Sequence, residues 1–133
     1  MILVDTNVLL DVVESDPVWG DWSQHQLEAA SLRGALAINA VVYTELSTAF
    51  DRIEQLDRAV ADAGLDFLAI PREALFLAGK AFLAYRKRKG LRRGVLPDFF
   101  IGAHAAVANM PLLTRDASRY RTYFPTIELI APR

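Results

Sequence analysis

Apolar and polar positions along this chain fall into blocks whose period switches between that of a strand and that of a helix. The first block, Ile2-Leu3-Val4, is a continuous apolar run that stops at Asp5. A run this short predicts a strand over Ile2–Asp5, buried on both faces as in a parallel sheet. Val8, Leu9, Val12 and Val13 then recur at helical spacing and predict a short helix with one apolar stripe. Asp16-Pro17 reads as an N-cap followed by proline at the first helical position, opening a helix to about Arg33 with Gly34 as its stop.

The alternation continues. Ala35–Ile38 predicts a second strand, and Asn39 the N-cap of a helix carrying Val41, Val42, Glu45, Leu46 and Ala49. Ile53, Leu56, Val60 and Ala63 form a further helical stretch that ends at Gly64. Asp66–Ile70 predicts a third strand, and Pro71 opens a long helix through Leu75, Ala78, Phe82 and Tyr85. Leu96-Pro97-Asp98 starts another helix, with Ile101, Ala105 and Ala108 on one side. Pro111–Thr114 predicts a fourth strand, Ser118–Pro125 a turn-rich connection, and Thr126–Ile130 a last strand. Strands alternating with helices predict βαβ units, hence a three-layer α/β/α domain around a mostly parallel sheet. With no repeat and no dividing linker, one domain is expected over residues 1–133.

Composition narrows the chemistry. The 133 residues are 53% hydrophobic, enough for a packed core, and contain no cysteine, which excludes disulfides and thiolate metal sites. Asp5 arrives too early for a signal peptide, and no apolar run approaches the ~20 residues that span a bilayer. A soluble, cytoplasmic protein without a membrane partner is expected. The net charge of −1 says nothing about a nucleic-acid partner, but its distribution does. Arg86, Lys87, Arg88, Lys89, Arg92 and Arg93 form one dense basic block.

Four carboxylates fall at comparable places. Asp5 ends the first strand, Glu45 lies in the second turn of the helix after the second, Asp98 opens a helix, and Asp116 follows the fourth strand. Helical side chains lean toward their own N-terminus, so Glu45 and Asp98 point back toward the sheet edge where ligands bind in open α/β folds. Each acid alone has an ordinary reading as a turn, cap or solvated residue. Together, converging on one edge, they would repel one another and take up protons unless a cation intervened. Hard oxygen donors without cysteine select Mg²⁺ or Mn²⁺, which suits metal-assisted phosphodiester hydrolysis.

The residues Val4-Asp5-Thr6-Asn7-Val8-Leu9-Leu10-Asp11, Tyr43-Thr44-Glu45-Leu46, Leu96-Pro97-Asp98-Phe99-Phe100-Ile101-Gly102-Ala103-His104-Ala105 and Leu113-Thr114-Arg115-Asp116, followed by Arg119-Tyr120, carry a family likeness. In order and spacing the chain resembles a PIN-domain ribonuclease, and most closely the VapC toxins of type II toxin–antitoxin pairs. The resemblance implies that Asp5, Glu45, Asp98 and Asp116 bind metal. It also implies that Asn7 and Thr114 hydrogen-bond the acids or a metal-bound water. Endoribonuclease activity leaving 5′-phosphate and 3′-hydroxyl ends, a cognate antitoxin that blocks the site, and a homodimer follow from it as expectations.

The basic block exceeds what a helix C-terminus needs, and contact with RNA phosphates is its expected role. Arg115 and Arg119, beside Asp116, could also touch phosphate, although Arg119 could equally pair with an acid. His104 is expected as a packed helix residue and His25 as a surface one, leaving cation-activated water as nucleophile. Trp19, Trp22 and Phe50 could be core or an apolar patch for a partner. Asp11 reads as a solvated helix residue. A phosphatase of the haloacid dehalogenase type also begins with a strand and an Asp, but needs a second acid where Asn7 stands. An RNA-binding or antitoxin-docking module without nuclease activity is the non-enzymatic alternative.

Overall fold

The computed structural model describes residues 1–88 and 96–133. Its centre is a five-stranded sheet: β1 (Ile2–Val4), β2 (Leu36–Asn39), β3 (Leu65–Leu68), β4 (Leu112–Leu113) and β5 (Leu129–Ile130). Every pairing is parallel and the order is β3-β2-β1-β4-β5. Helices flank the sheet, as the alternating pattern predicts. The chain runs outward from β1 through β2 to β3, then returns to place β4 on the other side of β1. That reversal makes the carboxyl ends of β1 and β4 the topological switch point, where a crevice forms in such sheets.

Seven helices connect the strands within the described residues. These are α1 (Thr6–Val13), α2 (Gly20–Arg33), α3 (Ala40–Leu46), α4 (Ile53–Asp62), α5 (Arg72–Lys87), α6 (Pro97–Ala108) and α7 (Ser118–Tyr123). A 3-10 turn, Ser47–Ala49, follows α3. Asn39 caps α3 as expected, its Oδ1 accepting from the N–H groups of Val41 at 3.0 Å and Val42 at 3.1 Å. Gly34 ends α2, and Gly64, at φ +68°, provides the left-handed residue after α4. Pro97 occupies the first turn of α6, where its missing N–H costs no helical bond.

Two expectations need correction. Asp16-Pro17 does not open α2. Asp16 Oδ1 accepts from the N–H groups of Val18 and Trp19, closing a turn, and the helix begins only at Gly20. The stretch after β4 is likewise a helix, α7, rather than a turn-rich connection. Ala117, Tyr120 and Phe124 are buried at helical spacing, and that stripe pays for the element.

Leu3, Val4, Ile38, Leu112 and Leu113 are completely enclosed and form the centre of the core. An aromatic cluster, with Phe99 at its middle among Phe82, Tyr85, Tyr123 and Phe124, joins α5, α6 and α7. Gly102 makes this junction possible. A Cβ there would stand 2.4 Å from Phe124 Cδ2 and 3.0 Å from Tyr120 Cδ1. The absent side chain thus lets α7 lie directly on α6.

Candidate active site at the switch point

Asp5 follows β1 and occupies the N-cap position of α1, yet its side chain does not cap that helix. It is buried, and its Oδ2 accepts from three side chains. Thr114 Oγ1 donates at 2.8 Å, Tyr120 OH at 2.9 Å and Asn7 Nδ2 at 3.4 Å. The strands explain the meeting: β1 and β4 are neighbours, so the residues after each come together. Thr114 Oγ1 also accepts from Asn7 Nδ2 at 3.3 Å and from the Asp116 N–H at 3.1 Å.

Asp98, in the first turn of α6, sits across Tyr120 from Asp5. The Tyr120 hydroxyl lies 3.5 Å from Asp98 Oδ1, and Arg119 Nη1 donates to Asp98 Oδ2 at 2.9 Å. Glu45, from α3, accepts from Thr6 Oγ1 at 2.7 Å. Asp5, Asp98 and Glu45 all act electrostatically on the Tyr120 phenol, which burial and these three charges hold well above its ordinary pKa. Tyr120 therefore stays a protonated donor. Burial, reinforced by the Asp98 charge and opposed by the Thr114 and Tyr120 hydrogen bonds, pushes Asp5 up from 3.8 to about 6.

Asp116 joins this group through its backbone, while its carboxylate accepts from Ser118 Oγ at 3.3 Å. Asn7 does more than touch Asp5, since its Oδ1 also accepts from the Arg115 N–H at 3.3 Å. Tyr120, which has no assigned role in the sequence alone, is a member of the site. Its buried stripe with Ala117 and Phe124 was the available signal.

Asp11 requires correction too. It is buried rather than solvated, and pairs with Arg115 through Nε at 2.8 Å and Nη2 at 3.0 Å. Arg115 is thereby committed to an acid instead of standing free for phosphate. Arg119 has taken the acid-pairing alternative. Arg86, Lys87 and Arg88 are exposed at the end of α5, whereas Lys89, Arg92 and Arg93 lie outside the described residues. The end of α5 borders the acids, because the Arg119 guanidinium lies 5.7 Å from the Tyr85 ring centroid. His104 is packed as expected, its Nδ1 3.1 Å from Asn39 Nδ2, and burial lowers its pKa. His25 is exposed. Trp22 and Phe50 pack against the core. A cavity of about 400 Å³, lined by Leu9, Leu27, Phe50, Leu56 and others, includes none of the four acids.

Among the described residues, no three Asp, Glu or His side chains lie close enough together to hold one ion. Arg119 engages Asp98 here, while Thr114 and Tyr120 engage Asp5. The donor set still fits a hard divalent cation. Asp5 Oδ1 and Glu45 Oε2 receive no side-chain hydrogen bond among the described residues. Mg²⁺ needs only one or two carboxylates when water and substrate supply the rest.

A family profile described as the PIN domain matches residues 2–125. The chain belongs to the PIN domain family. PIN domains are generally nucleases, and those nucleases generally use divalent metals. Solved structures share the fold. VapBC2 from Rickettsia felis, bound to a promoter DNA fragment, is 22% identical over 100% of both chains, with a TM-score of 0.74. A toxin-antitoxin complex from Klebsiella pneumoniae is 22% identical over 100% of this chain and 98% of its own, at 0.68. VapBC-1 from nontypeable Haemophilus influenzae is 19% identical over 98% of each, at 0.71. No match was found among curated proteins. No helix among the described residues is long and apolar enough to cross a membrane.

Proposed function

We propose that the chain is a Mg²⁺- or Mn²⁺-dependent endoribonuclease, the toxin of a VapBC-like pair, acting as a single domain over residues 1–133. The observation that carries this reading is Asp5, a buried carboxylate that feels the charge of a second acid, Asp98, at the switch point of a PIN domain. Asp5, Glu45, Asp98 and Asp116 are the proposed metal ligands. A bound divalent cation would neutralise phosphoryl oxygens and make water a nucleophile near neutral pH.

The chain's own residues do the positioning. Thr114 and Tyr120 fix Asp5 Oδ2, Asn7 braces both Thr114 and the Arg115 backbone, and Thr6 orients Glu45. Arg119 supplies Asp98 with a positive partner until a stronger cation competes for it. The exposed Arg86, Lys87 and Arg88 would draw RNA toward the acids through its phosphates, with Lys89, Arg92 and Arg93 assigned the same role. Such contacts confer affinity but do not read bases. Toxin–antitoxin structures among the neighbours support a cognate antitoxin as partner, and the family likeness a homodimer in the cytoplasm.

The test is cleavage of single-stranded RNA by purified protein in Mg²⁺ or Mn²⁺. Wild-type protein should cut, while Asp5→Asn and Asp98→Asn should fold yet fail. Full activity in excess chelator, or unchanged cleavage by Asp5→Asn, would refute the reading. RNA retention without cleavage in either metal would favour a binding module instead.

A further inference from the structure

Asp11 stands one helical turn beyond Asn7 on α1, buried but outside the acid cluster. Ser23 Oγ donates to its Oδ2 at 2.7 Å, and Arg115 grips both carboxylate oxygens. The Arg115 guanidinium also lies 5.7 Å from the Trp19 ring centroid. Arg115 is the residue between Thr114, which holds Asp5, and Asp116. Its own N–H donates to Asn7 Oδ1. One residue of the loop after β4 is therefore tied to α1 twice, by its side chain to Asp11 and by its backbone to Asn7.

Stability alone does not account for such a pair, because apolar residues of similar volume often stabilise a buried site as well or better. A planar guanidinium held by two hydrogen bonds offers something an apolar contact lacks, a fixed orientation. We propose that Asp11 and Arg115 form a positioning clamp for the acid site. The clamp locks the loop after β4 to α1, and so sets where the Thr114 hydroxyl and Asp116 stand relative to Asp5. Neither Asp11 nor the Arg115 side chain touches substrate in this scheme. Trp19 lies beside the guanidinium, which stays partly exposed while the Asp11 carboxylate is buried. Only the metal arm of the test rests on the nuclease reading.

The decisive variant is the double substitution Asp11→Leu with Arg115→Met, which removes the clamp without leaving an unpaired buried charge. It should melt within a few degrees of wild type. Exchange of the amide protons at positions 115 and 116 should quicken about tenfold, the equivalent of roughly one lost hydrogen bond. Mn²⁺ affinity measured by calorimetry should weaken about tenfold or more, as when an outer partner of a metal ligand is removed. A folded double variant with wild-type exchange and wild-type Mn²⁺ affinity would overturn the clamp. Should it fail to fold, Arg115→Lys, which keeps the charge and loses the fork, is read by the same two measurements. If the wild-type protein binds no Mn²⁺, the metal reading fails by itself and amide exchange alone decides the clamp.

Discussion

Asp5 and Asp11 lie six residues apart in one stretch of chain, and both are buried, at 5% and 2% exposure. Their surroundings differ in kind. Asp11 meets a guanidinium and a hydroxyl, so its charge is compensated where it sits. Asp5 meets two hydroxyls, an amide and, nearby, a second carboxylate. Burial is thus common to both, and among the described residues compensation separates them. A buried acid with a cation of its own positions the structure, whereas a buried acid left without one holds an energetic deficit that a ligand can relieve.

Breaking the compensated acid should cost most. Arg115→Ala leaves the Asp11 carboxylate buried with Ser23 as its one remaining side-chain donor among the described residues, and urea unfolding should show a loss of about 3 kcal/mol. A loss below about 1 kcal/mol would mean that water reaches Asp11 and that the pair is a surface contact.

The uncompensated acid should respond to pH with the opposite sign to a salt-bridged one. The folded pKa of Asp5 lies above its unfolded value, so the native state binds the proton more tightly. Its contribution is favourable below about pH 4 and is lost as pH rises to about 6. At about 1.4 kcal/mol per pH unit, the rise from 3.8 to about 6 amounts to about 3 kcal/mol. Asp5→Asn should therefore gain stability over wild type across this window in cation-free buffer. Parallel pH profiles for the two proteins would show that Asp5 is compensated after all.

A smaller change tests how the two helices deliver Tyr120. Gly102→Ala puts a methyl group against Phe124 and Tyr120, and should destabilise by about 1–3 kcal/mol as an overpacked core does. Because α7 must move, RNA cleavage should fall by more than the folded fraction does. Activity that merely follows the folded fraction would separate Tyr120's placement from function.

The fold was legible wherever local chemistry decides it. Asn39, Gly34, Gly64 and Pro97 mark element ends through bonds or dihedrals within a few residues of themselves, and the apolar runs mark the strands. Acids at strand ends were legible for the same reason. Asp16 misled because an Asp that accepts from the N–H groups two and three residues on can close a turn as readily as cap a helix. Helix α7 escaped because its buried stripe of Ala117, Tyr120 and Phe124 is short and interrupted by polar residues. The role of Asp11 could not be read locally, since its partner Arg115 lies 104 positions away. Asp5 likewise owes its raised pKa to burial and to the Asp98 charge, working against the Thr114 and Tyr120 hydrogen bonds, and only the sheet order brings these groups together.

The contrast between the two acids is tested most directly by titrating Mn²⁺ calorimetrically into wild-type protein, Asp5→Asn and Asp11→Asn. Saturable binding to the wild type should weaken at least about tenfold, or vanish, in Asp5→Asn. In folded Asp11→Asn, which keeps all four proposed ligands, binding should weaken but persist. Equal Mn²⁺ affinity in the wild type and Asp5→Asn would contradict the account.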